Sequence, residues 1–371
     1  VLNITTGFTL SDYDGDHIGQ VRWSDYLGDD YDYSSHSWYL NNGRKKEANV
    51  FVRAEYEPMD WLTAYADLQY RGVWLKMEGP EDDNVPLDYS TNWQFFNPRA
   101  GLSFRWSGKH KAFLSAAVGH REPGRADIKE NIKNAWLSDH PDVALKPEKM
   151  LDMEFGYSFN AEKVSAAVNV YLMECWDMLL ETGKLSNVGY AIKENVDRGW
   201  RRGVELSVGY EPLRWLRADA DFTFSSNKIR DYREYVQNVD AYESWVMTGR
   251  TTEFEYGTTS MLMSPSVLGS LRLTFVPWKG ATVSVDGKYV GRQYLDNTMT
   301  ISRSIPAYFV SNLAVSHTFE LNKGSLGLSF YLNNIFNNMY YADGWCWKNI
   351  VEEDGALVDG IGIYPQAPLN Y

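Results

Sequence analysis

Closely spaced carboxylates near the start of the chain are the first residues whose types and spacing point to chemistry. Asp12, Asp14 and Asp16 alternate along a short segment that also holds a glycine. Oxygen ligands spaced in this way suit a hard cation such as Ca²⁺. The segment departs from an EF-hand loop, because Trp23 stands where the bidentate glutamate is needed. Two interpretations stay open: a Ca²⁺ site in an outer loop, or a solvated acidic loop surface.

Two groups of polar residues begin predicted long loops and are candidates for ligand contact. Arg121, Glu122 and Arg125 follow a predicted strand and flank a Pro-Gly turn. Opposite charges so close together predict either pairing with each other or contact with an anionic ligand. The second group begins a later loop and has the same two interpretations: Gln293, Tyr294, Asp296 and Asn297.

Tryptophans in the predicted loops are candidates for stacking on a ligand, since large rings give contact area at a low entropic cost. The alternative is ordinary packing inside the protein. The residues concerned are Trp23, Trp38, Trp93 and Trp245.

Residues for catalysis or metal binding do not form a recognisable pattern. The histidines show no HxxxH or HExxH spacing, and no GxSxG motif is present. The two cysteines, Cys175 and Cys346, are far apart in sequence, so no CxxC metal site can be formed. We therefore expect no enzyme activity and no cofactor. The histidines considered are His17, His36, His120 and His140.

Composition narrows the classes of protein. The chain has 371 residues, and its 36 basic and 49 acidic residues give a net charge of −13. Nucleic-acid binding normally needs a basic face, so we expect no nucleic-acid partner. No run of apolar residues is long enough for a transmembrane helix, which needs about 18. A membrane β-barrel stays open, because its strands alternate instead.

Alternation of apolar and polar residues recurs along most of the chain and predicts an all-β protein. Leu216, Ala218 and Ala220, for example, oppose Asp219 and Asp221. The pattern predicts thirteen strands, at 2–12, 47–57, 61–76, 98–107, 110–120, 150–160, 163–181, 198–211, 214–227, 264–277, 280–293, 306–319 and 325–336.

The connections between these strands are short and long in strict turn. Long connections are predicted at 13–46, 77–97, 121–149, 182–197, 228–263, 294–305 and 337–367. Outer-membrane barrels combine tight periplasmic turns with long extracellular loops in this way. Trp61, Trp215 and Trp278 flank the short turns, as expected for an aromatic girdle. We therefore predict an antiparallel transmembrane β-barrel, with a further strand beginning near Pro368 and cut short at Tyr371.

Ordered segments of the chain resemble the C-terminal part of TonB-dependent outer-membrane receptors, particularly those of Bacteroidetes-type bacteria. Each segment is loosely specific, whereas their order along nearly the whole chain is a specific signal. The segments are 145–148 (LKPE), 152–157 (DMEFGY), 168–178 (VNVYLMECWDM), 203–206 (GVEL), 289–298 (YVGRQYLDNT), 332–337 (LNNIFN) and 364–368 (YPQAP), with 96–101 (FNPRAG) and 120–125 (HREPGR) typical of the narrower group.

This resemblance implies a barrel of about 22 strands, filled by an N-terminal plug that follows a TonB box. Residues 1–371 would supply the C-terminal 13–14 strands, without the plug. The implied function is energised uptake of a scarce, bulky nutrient across the outer membrane of a Gram-negative bacterium. The implied partners are outer-membrane lipid and lipopolysaccharide, the TonB–ExbB–ExbD complex, and a small-molecule nutrient complex.

The motifs favour an iron-siderophore, haem or cobalamin-type substrate over a glycan or peptide. Two other functions remain open at this point. A passive porin or surface-binding barrel of about 14 strands would close on itself, pairing the first strand with the last. A soluble carbohydrate-binding protein would bury the face that carries Ala48, Val50 and Val52 in a core.

Overall fold

Long antiparallel strands dominate the structure, a computed structural model that describes residues 1–26, 28, 30–32, 37–138, 144–185, 190–240 and 246–366. The strands are β1 (Leu2–Gly19), β2 (Tyr39–Met59), β3 (Leu62–Glu78), β4 (Tyr89–Trp106), β5 (His110–Arg121), β6 (Glu148–Asn160), β7 (Val164–Leu185), β8 (Ala191–Leu213), β9 (Leu216–Arg230), β10 (Arg233–Asp240), β11 (Val246–Glu255), β12 (Thr259–Ser260), β13 (Val267–Phe275), β14 (Ala281–Val290), β15 (Gln293–Tyr294), β16 (Ser304–Ile305), β17 (Tyr308–Leu321), β18 (Gly324–Leu332), β19 (Tyr341–Val351) and β20 (Leu357–Pro365). One α-helix, α1 (Arg125–Ser138), and 3₁₀ turns at Asp82–Asn84 and Ile301–Arg303 complete the elements.

A single large sheet contains the thirteen strands predicted from alternation. Its order is β1 to β9, then β13, β14, β17 and β18, and the short β12 pairs with β9. Neighbouring strands in this sheet are antiparallel and follow each other in the chain, except where β10 to β12 and β15 to β16 lie within the intervening loops. The prediction of an antiparallel up-and-down sheet is therefore confirmed.

Several strands continue well beyond the predicted ends. β1 runs to Gly19 and β2 begins at Tyr39, inside the predicted loop 13–46. The predicted loop 182–197 is mostly strand, because β7 reaches Leu185 and β8 begins at Ala191. The prediction was wrong here because the backbone ladder continues after the apolar alternation has ended.

The short and long connections alternate as predicted, so the sheet has a short-turn edge and a long-loop edge. The short turns hold two to five residues. In the turn between β4 and β5, Ser107 and Gly108 have φ values of 52° and 64°. Positive φ at both central residues fits the twist of the flanking strands, and glycine adopts it without a steric penalty.

One face of the large sheet is apolar from strand to strand. Residues directly opposite each other in an antiparallel ladder share a face. One such row runs across four strands: Phe155, Val170, Val204 and Phe224. The alternate residues form a polar face, where Arg53, Asp67 and Arg99 stand in one row.

The apolar face is exposed instead of being packed in a core. Val50 and Val52 are 50% and 45% exposed, and Phe155 and Phe224 are 47% and 49% exposed. An apolar surface this extensive marks a face that meets another apolar phase. The soluble alternative required the Val50 and Val52 face to be buried, so the structure contradicts it.

The hydrophobic core lies on the opposite face, close to the long-loop edge. On β3 the polar residues Asp67 and Arg71 give way to Val73, Leu75 and Met77, which are at most 5% exposed. Ile128 and Ile132 of α1 belong to the cluster around Leu75, so the helix covers this part of the sheet. A second cluster, around Met178 and Ile229, lies under the loop that contains β10 and β11.

Two long loops that the sequence left without secondary structure contain hairpins. β10–β11 and β19–β20 join through a parallel pairing of β10 with β19 and form a separate four-stranded sheet at the long-loop edge. No helix in the described part of the chain is both long enough and apolar enough to cross a membrane.

The two end strands of the large sheet do not pair with each other in the described residues. β1 pairs with β2, and β18 pairs with β17. A small closed barrel required β1 to meet the last strand, so this pairing argues against that alternative. The strand predicted near Pro368 lies outside the described residues.

Candidate functional site

One cavity of the structure, called here the outer cavity, lies where the four-stranded sheet meets the long-loop edge. It encloses about 380 Å³. Its walls combine aromatic, aliphatic and polar side chains from four parts of the chain. They include Glu181, Tyr232, Glu234, Tyr235, Gln237, Met247, Leu262, Asp296, Asn297, Cys346, Trp347, Lys348 and Asn349.

Contacts with β7 hold the four-stranded sheet over the end of the large sheet. The Tyr232 hydroxyl donates to the carbonyl of Glu181 at 3.0 Å. The Lys184 ammonium lies 4.1 Å from the centre of the Tyr235 ring, a cation–π contact. Tyr232 is 2% exposed, so its ring is part of the core beneath the cavity. The cavity wall is thus anchored to the large sheet.

A network of charged side chains from three loops supports the polar wall of the outer cavity, which is lined by Glu234, Asp296 and Lys348. Asp296 accepts from Arg303 Nε at 2.6 Å and from Lys348 Nζ at 2.8 Å. Arg303 also donates to Asp359 at 2.5 Å, and Lys348 forms an ion pair with Glu234. Three carboxylates face two cations. Asp359 is exposed, whereas the buried Glu234 and Arg303 each have a partner, as buried charges require.

The surroundings fix the protonation states of this wall. Burial disfavours the charged form of Asp296, but the Lys348 charge and hydrogen bonds from Lys348 and Thr298 outweigh it and lower its pKa to about 2. Burial and the nearby Glu234 raise the pKa of Tyr256 to about 12. Burial and Asp296 raise the pKa of Cys346 to about 11. At neutral pH the thiol is therefore protonated and is a poor nucleophile.

These features suit the cavity to reversible binding of a ligand. Aromatic rings and apolar side chains offer contact area, while Asn297, Gln237 and Asn349 offer hydrogen bonds. In the described part of the chain, no three His, Cys, Asp or Glu side chains have an arrangement that could hold a metal ion.

A second polar cluster lies beneath α1, about Arg71. Arg71 donates twice to Glu47, at 2.8 and 2.9 Å, and twice to Glu122, at 2.7 and 2.8 Å. Lys45 contacts the same Glu122 at 2.7 Å. Burial opposes the charge of Glu122, but the hydrogen bonds from Arg71 and Lys45 outweigh it and lower its pKa to about 2. This cluster joins the start of the α1 loop to β2 and β3.

The first predicted ligand group is divided among different partners. Arg121 pairs with Glu148, while Glu122 belongs to the Arg71 cluster. Arg125 donates to Asn41 at 2.5 Å. These three residues do not pair with each other. Trp93 lies on β4 and packs against the apolar cluster under α1.

The second predicted ligand group lies closer to the outer cavity. Asn297 lines the cavity, is 2% exposed, and accepts from the backbone N–H of Leu262 at 2.9 Å. Gln293 and Tyr294 form β15, which pairs with β16. Of the predicted ligand residues in the described part of the chain, Asp296 and Asn297 are therefore the two found in the wall of this cavity.

The three predicted cation ligands lie on β1 instead of in a loop. Arg44 donates to Asp12 at 3.0 Å, and Asn42 donates to Asp14 at 2.8 Å and to Asp16 at 2.9 Å. The alternating carboxylates thus share one strand face and meet donors on β2. Their placement in a loop was wrong, because β1 continues to Gly19. His36, His140 and Trp245 lie outside the described residues.

Sequence reasoning missed most of the outer cavity. Tyr232, Glu234, Trp347 and Lys348 lie in segments that were assigned to featureless loops. The alternation of Trp345 and Trp347 with Cys346 and Lys348 was the available signal for a strand. No local signal places that strand beside β10, since the pairing is between distant parts of the chain.

Comparison with known proteins identifies the architecture. The chain matches the family described as "TonB dependent receptor-like, beta-barrel" over residues 2–335. Among solved structures, it is similar to the ferric-catecholate import receptor Fiu from E. coli K12, with a TM-score of 0.64 and 12% identity over 99% of this chain. It is also similar to the siderophore receptor PiuA from Acinetobacter baumannii, with a TM-score of 0.68 and 14% identity over 93% of this chain.

A third similar structure is the copper transporter OprC, with a TM-score of 0.68 and 13% identity over 91% of this chain. The matches cover 50% of Fiu, 50% of PiuA and 48% of OprC. The chain therefore spans about half the length of these proteins. At such low identity, the likeness concerns the fold.

Proposed function

The chain belongs to the family of TonB-dependent receptors, and from this premise we propose that it serves energised uptake of a small nutrient complex. It is a transmembrane β-barrel of the outer membrane of a Gram-negative bacterium, and its family indicates a transporter instead of an enzyme. In the proposed function, TonB–ExbB–ExbD supplies the energy by acting on the N-terminal part of the whole receptor.

The exposed apolar face carries this proposal. A continuous belt of side chains such as Val52, Phe155 and Phe224 meets lipid, and the polar face with Arg53 and Asp67 lines the lumen. This arrangement leaves the long-loop edge, with the outer cavity, on the extracellular side. A nutrient arriving from outside would meet that edge first.

We propose a metal complex such as an iron-siderophore, haem or cobalamin as the substrate class. The outer cavity of about 380 Å³ matches the size of sites for small organic ligands, which are about 300–1,000 Å³. Tyr235 and Trp347 would contact the organic part of the complex, and Asn297 would orient it. The similar structures are named for ferric-catecholate import, a siderophore and copper, which supports this class over glycans or peptides.

Uptake by a strain that lacks the full-length gene tests the proposal. The strain is complemented with the full-length receptor and given labelled ferric siderophores, haem, cobalamin, copper and oligosaccharides under starvation for each. We expect uptake of one metal complex, and loss of that uptake when TonB is removed. Uptake that persists without TonB would support a passive porin. Growth on oligosaccharides alone would support a glycan importer.

Paired tryptophan variants connect the uptake to the outer cavity. Trp347 lines the cavity, whereas Trp345, two residues earlier on β19, does not. We expect Trp347→Ala to weaken substrate binding by about 10-fold, the loss of one aromatic contact of about 1–1.5 kcal/mol. Trp345→Ala is the matched control and should bind normally. Equal effects of the two variants would contradict the role of the cavity.

A further inference from the structure

The charged side chains that line the outer cavity are mostly carboxylates. Glu181, Glu234 and Asp296 contribute three negative charges, and Lys348 contributes one positive charge. Cys346 also lines the cavity, and its pKa of about 11 leaves the thiol uncharged at neutral pH. The lining therefore carries a net charge of −2, since Lys348 balances one of its three negative charges.

The charged residues next to the lining do not change this balance. Arg303 contacts Asp296 and also pairs with Asp359. Lys184 lies beside the cavity and pairs with Glu194 at 2.6 Å. These two cations and the two carboxylates outside the lining, Asp359 and Glu194, cancel each other. The walls consequently present a negative potential to any ligand that enters.

Glu181 is the carboxylate of the lining that a ligand can reach. Its side chain is exposed on β7, and its backbone carbonyl accepts from the Tyr232 hydroxyl at 3.0 Å. Within the described residues, its carboxylate forms no ion pair. Lys193, directly opposite on β8, pairs with Asp127 instead. A cation from outside therefore meets a free carboxylate and displaces no partner.

Two aromatic rings of the cavity wall are suited to contact with a cation. The Lys184 ammonium lies 4.1 Å from the centre of the Tyr235 ring, so this wall already accommodates one ammonium group. A side-chain carbon at Gly360 would lie 2.7–2.9 Å from the Trp347 indole, and its absence lets the indole lie against β20. Trp347 is still 40% exposed and lines the cavity. The negative faces of such rings attract cations.

This combination suits an organic cation instead of a bare metal ion or an anion. A metal ion needs several ligand atoms that converge on one point, and no three His, Cys, Asp or Glu side chains in the described part of the chain provide them. An ammonium group is bound by a carboxylate with aromatic faces beside it. An anionic complex would be repelled by the negative wall.

We propose that the outer cavity selects ferric hydroxamate complexes that carry a free ammonium group. Three hydroxamate groups neutralise Fe³⁺, so the ammonium makes the whole complex positive, whereas three catecholates leave a negative complex. The ammonium would bind Glu181, and the organic chain would lie against Trp347 while Gln237 donates to the hydroxamate oxygens. This inference rests on the proposed function and narrows its substrate to one class of charge.

A pair of complexes that differ in one charge tests the proposal. Ferric desferrioxamine B ends in an ammonium group, and acetylation of that amine gives a neutral complex with the same iron site. Both are titrated into the full-length receptor in a neutral detergent, and quenching of tryptophan fluorescence gives the Kd. We expect the amine complex to bind about tenfold more tightly, which corresponds to about 1.4 kcal/mol. Equal Kd values, or tighter binding of a ferric tris-catecholate, would overturn the proposal.

Substitution of the reachable carboxylate locates the charge selection. Glu181→Gln should reduce the preference from about tenfold to less than about threefold, because the ammonium loses its ionic partner. The Kd of the acetylated complex should stay unchanged, which also reports a folded cavity. Glu255→Gln is the matched control, since Glu255 is an exposed carboxylate of β11 that does not line the cavity. An unchanged preference in Glu181→Gln, or an equal loss in Glu255→Gln, would contradict the site.

A second variant tests the aromatic contact without removing a charge, and it covers the case in which Glu181→Gln does not fold. Trp347→Leu keeps an apolar side chain at the cavity wall and removes the ring. It should weaken binding of the amine complex about threefold more than binding of the acetylated complex, because only the amine complex loses a cation–π contact. Equal weakening of the two complexes would contradict a role of the ring in charge selection.

Failure of this inference can be separated from failure of the proposed function. If the receptor imports haem or cobalamin with the help of TonB and binds neither hydroxamate complex, the charge selection is wrong and the proposed function stands. If no metal complex is imported, both are wrong. Import of ferric desferrioxamine B that depends on TonB, with slower import of its acetylated form at the same concentration, would support both.

Discussion

At the scale of single residues, Arg303 connects the wall of the outer cavity to the loops around it. It is 3% exposed and contacts Asp296, Asp359 and Thr298. A buried cation with this many partners holds several segments together at once. Its removal leaves the poorly solvated Asp296 with Lys348 as its remaining cation, and this adds to the cost of the lost contacts.

We expect Arg303→Met to destabilise the four-stranded sheet by about 1–3 kcal/mol, because Asp296 loses one of its two cations and Asp359 loses its ion pair. Hydrogen exchange of β10, β11, β19 and β20 in the full-length receptor measures this change. Arg250→Met is the control, since Arg250 is exposed and pairs with Glu352 at the surface, where an ion pair contributes little to stability. Equal protection in the two variants would contradict the role of Arg303.

The ionised state of Asp296 predicts a dependence of local stability on pH. Its pKa of about 2 lies below the ordinary value of 3.8, so folding favours the charged form. The stabilisation is complete above pH 4 and is lost as the pH falls from about 4 to about 2, with a total of about 2 kcal/mol. Hydrogen exchange of β19 across this range should show the loss. Asp296→Asn should remove that dependence, and an unchanged profile in the variant would assign it to another group.

At the scale of elements, each long strand has two parts with opposite facing. Near the short turns, the apolar side chains of β3 point to lipid and its charges point to the lumen. Farther along the same strand, the side chains on the lumen side are apolar and belong to the core: Val73, Leu75 and Met77. On the opposite side, Lys76 and Glu78 are exposed. The apolar side chains change from the lipid-facing side to the lumen-facing side of β3 because the strand leaves the membrane there. Above the membrane, α1 provides an apolar partner for the lumen face.

Facing within the membrane can be tested on β9. Ala220 shares the apolar face with Val208 and Leu271, and it lies near the middle of a crossing that begins at Leu216. Ala220→Arg should cost about 2–4 kcal/mol of folding free energy in lipid. Asp221→Arg, one residue later on the lumen face, should cost far less. Refolding into bilayers at graded urea concentrations compares the two, and similar costs would contradict the assigned faces.

At the scale of the whole molecule, all the secondary structure outside the large sheet lies at one edge. The short turns hold two to five residues, whereas α1 and both hairpins of the four-stranded sheet lie at the long-loop edge. An outer-membrane barrel carries its long loops on the extracellular side. The long-loop edge is therefore the side suited to binding, and the opposite side consists of short turns.

Surface labelling tests this orientation. An epitope inserted at Gly355, in the turn between β19 and β20, should be labelled by antibody on intact cells. The same epitope inserted at Glu162, in the short turn between β6 and β7, should be labelled only after the outer membrane is permeabilised. Labelling of the Glu162 insertion on intact cells would reverse the topology.

The sequence by itself determined the thirteen strands, their antiparallel order and the two faces of the sheet. These properties are local, because neighbouring strands follow each other in the chain and alternation at every second residue is set by the pleat. The exposed girdle at Trp61, Trp215 and Trp278 was predictable for the same reason. The resemblance of ordered segments to a known family predicted which kind of outer-membrane barrel the chain forms.

The four-stranded sheet and the charged network formed by the long loops are visible only in the tertiary structure. Gln237 and Asn349 pair across more than a hundred residues, and Asp296 and Arg303 of one loop contact Lys348 and Asp359 of another. No short-range sequence pattern predicts such long-range contacts, because each contact depends on burial that exists only after the loops have folded together.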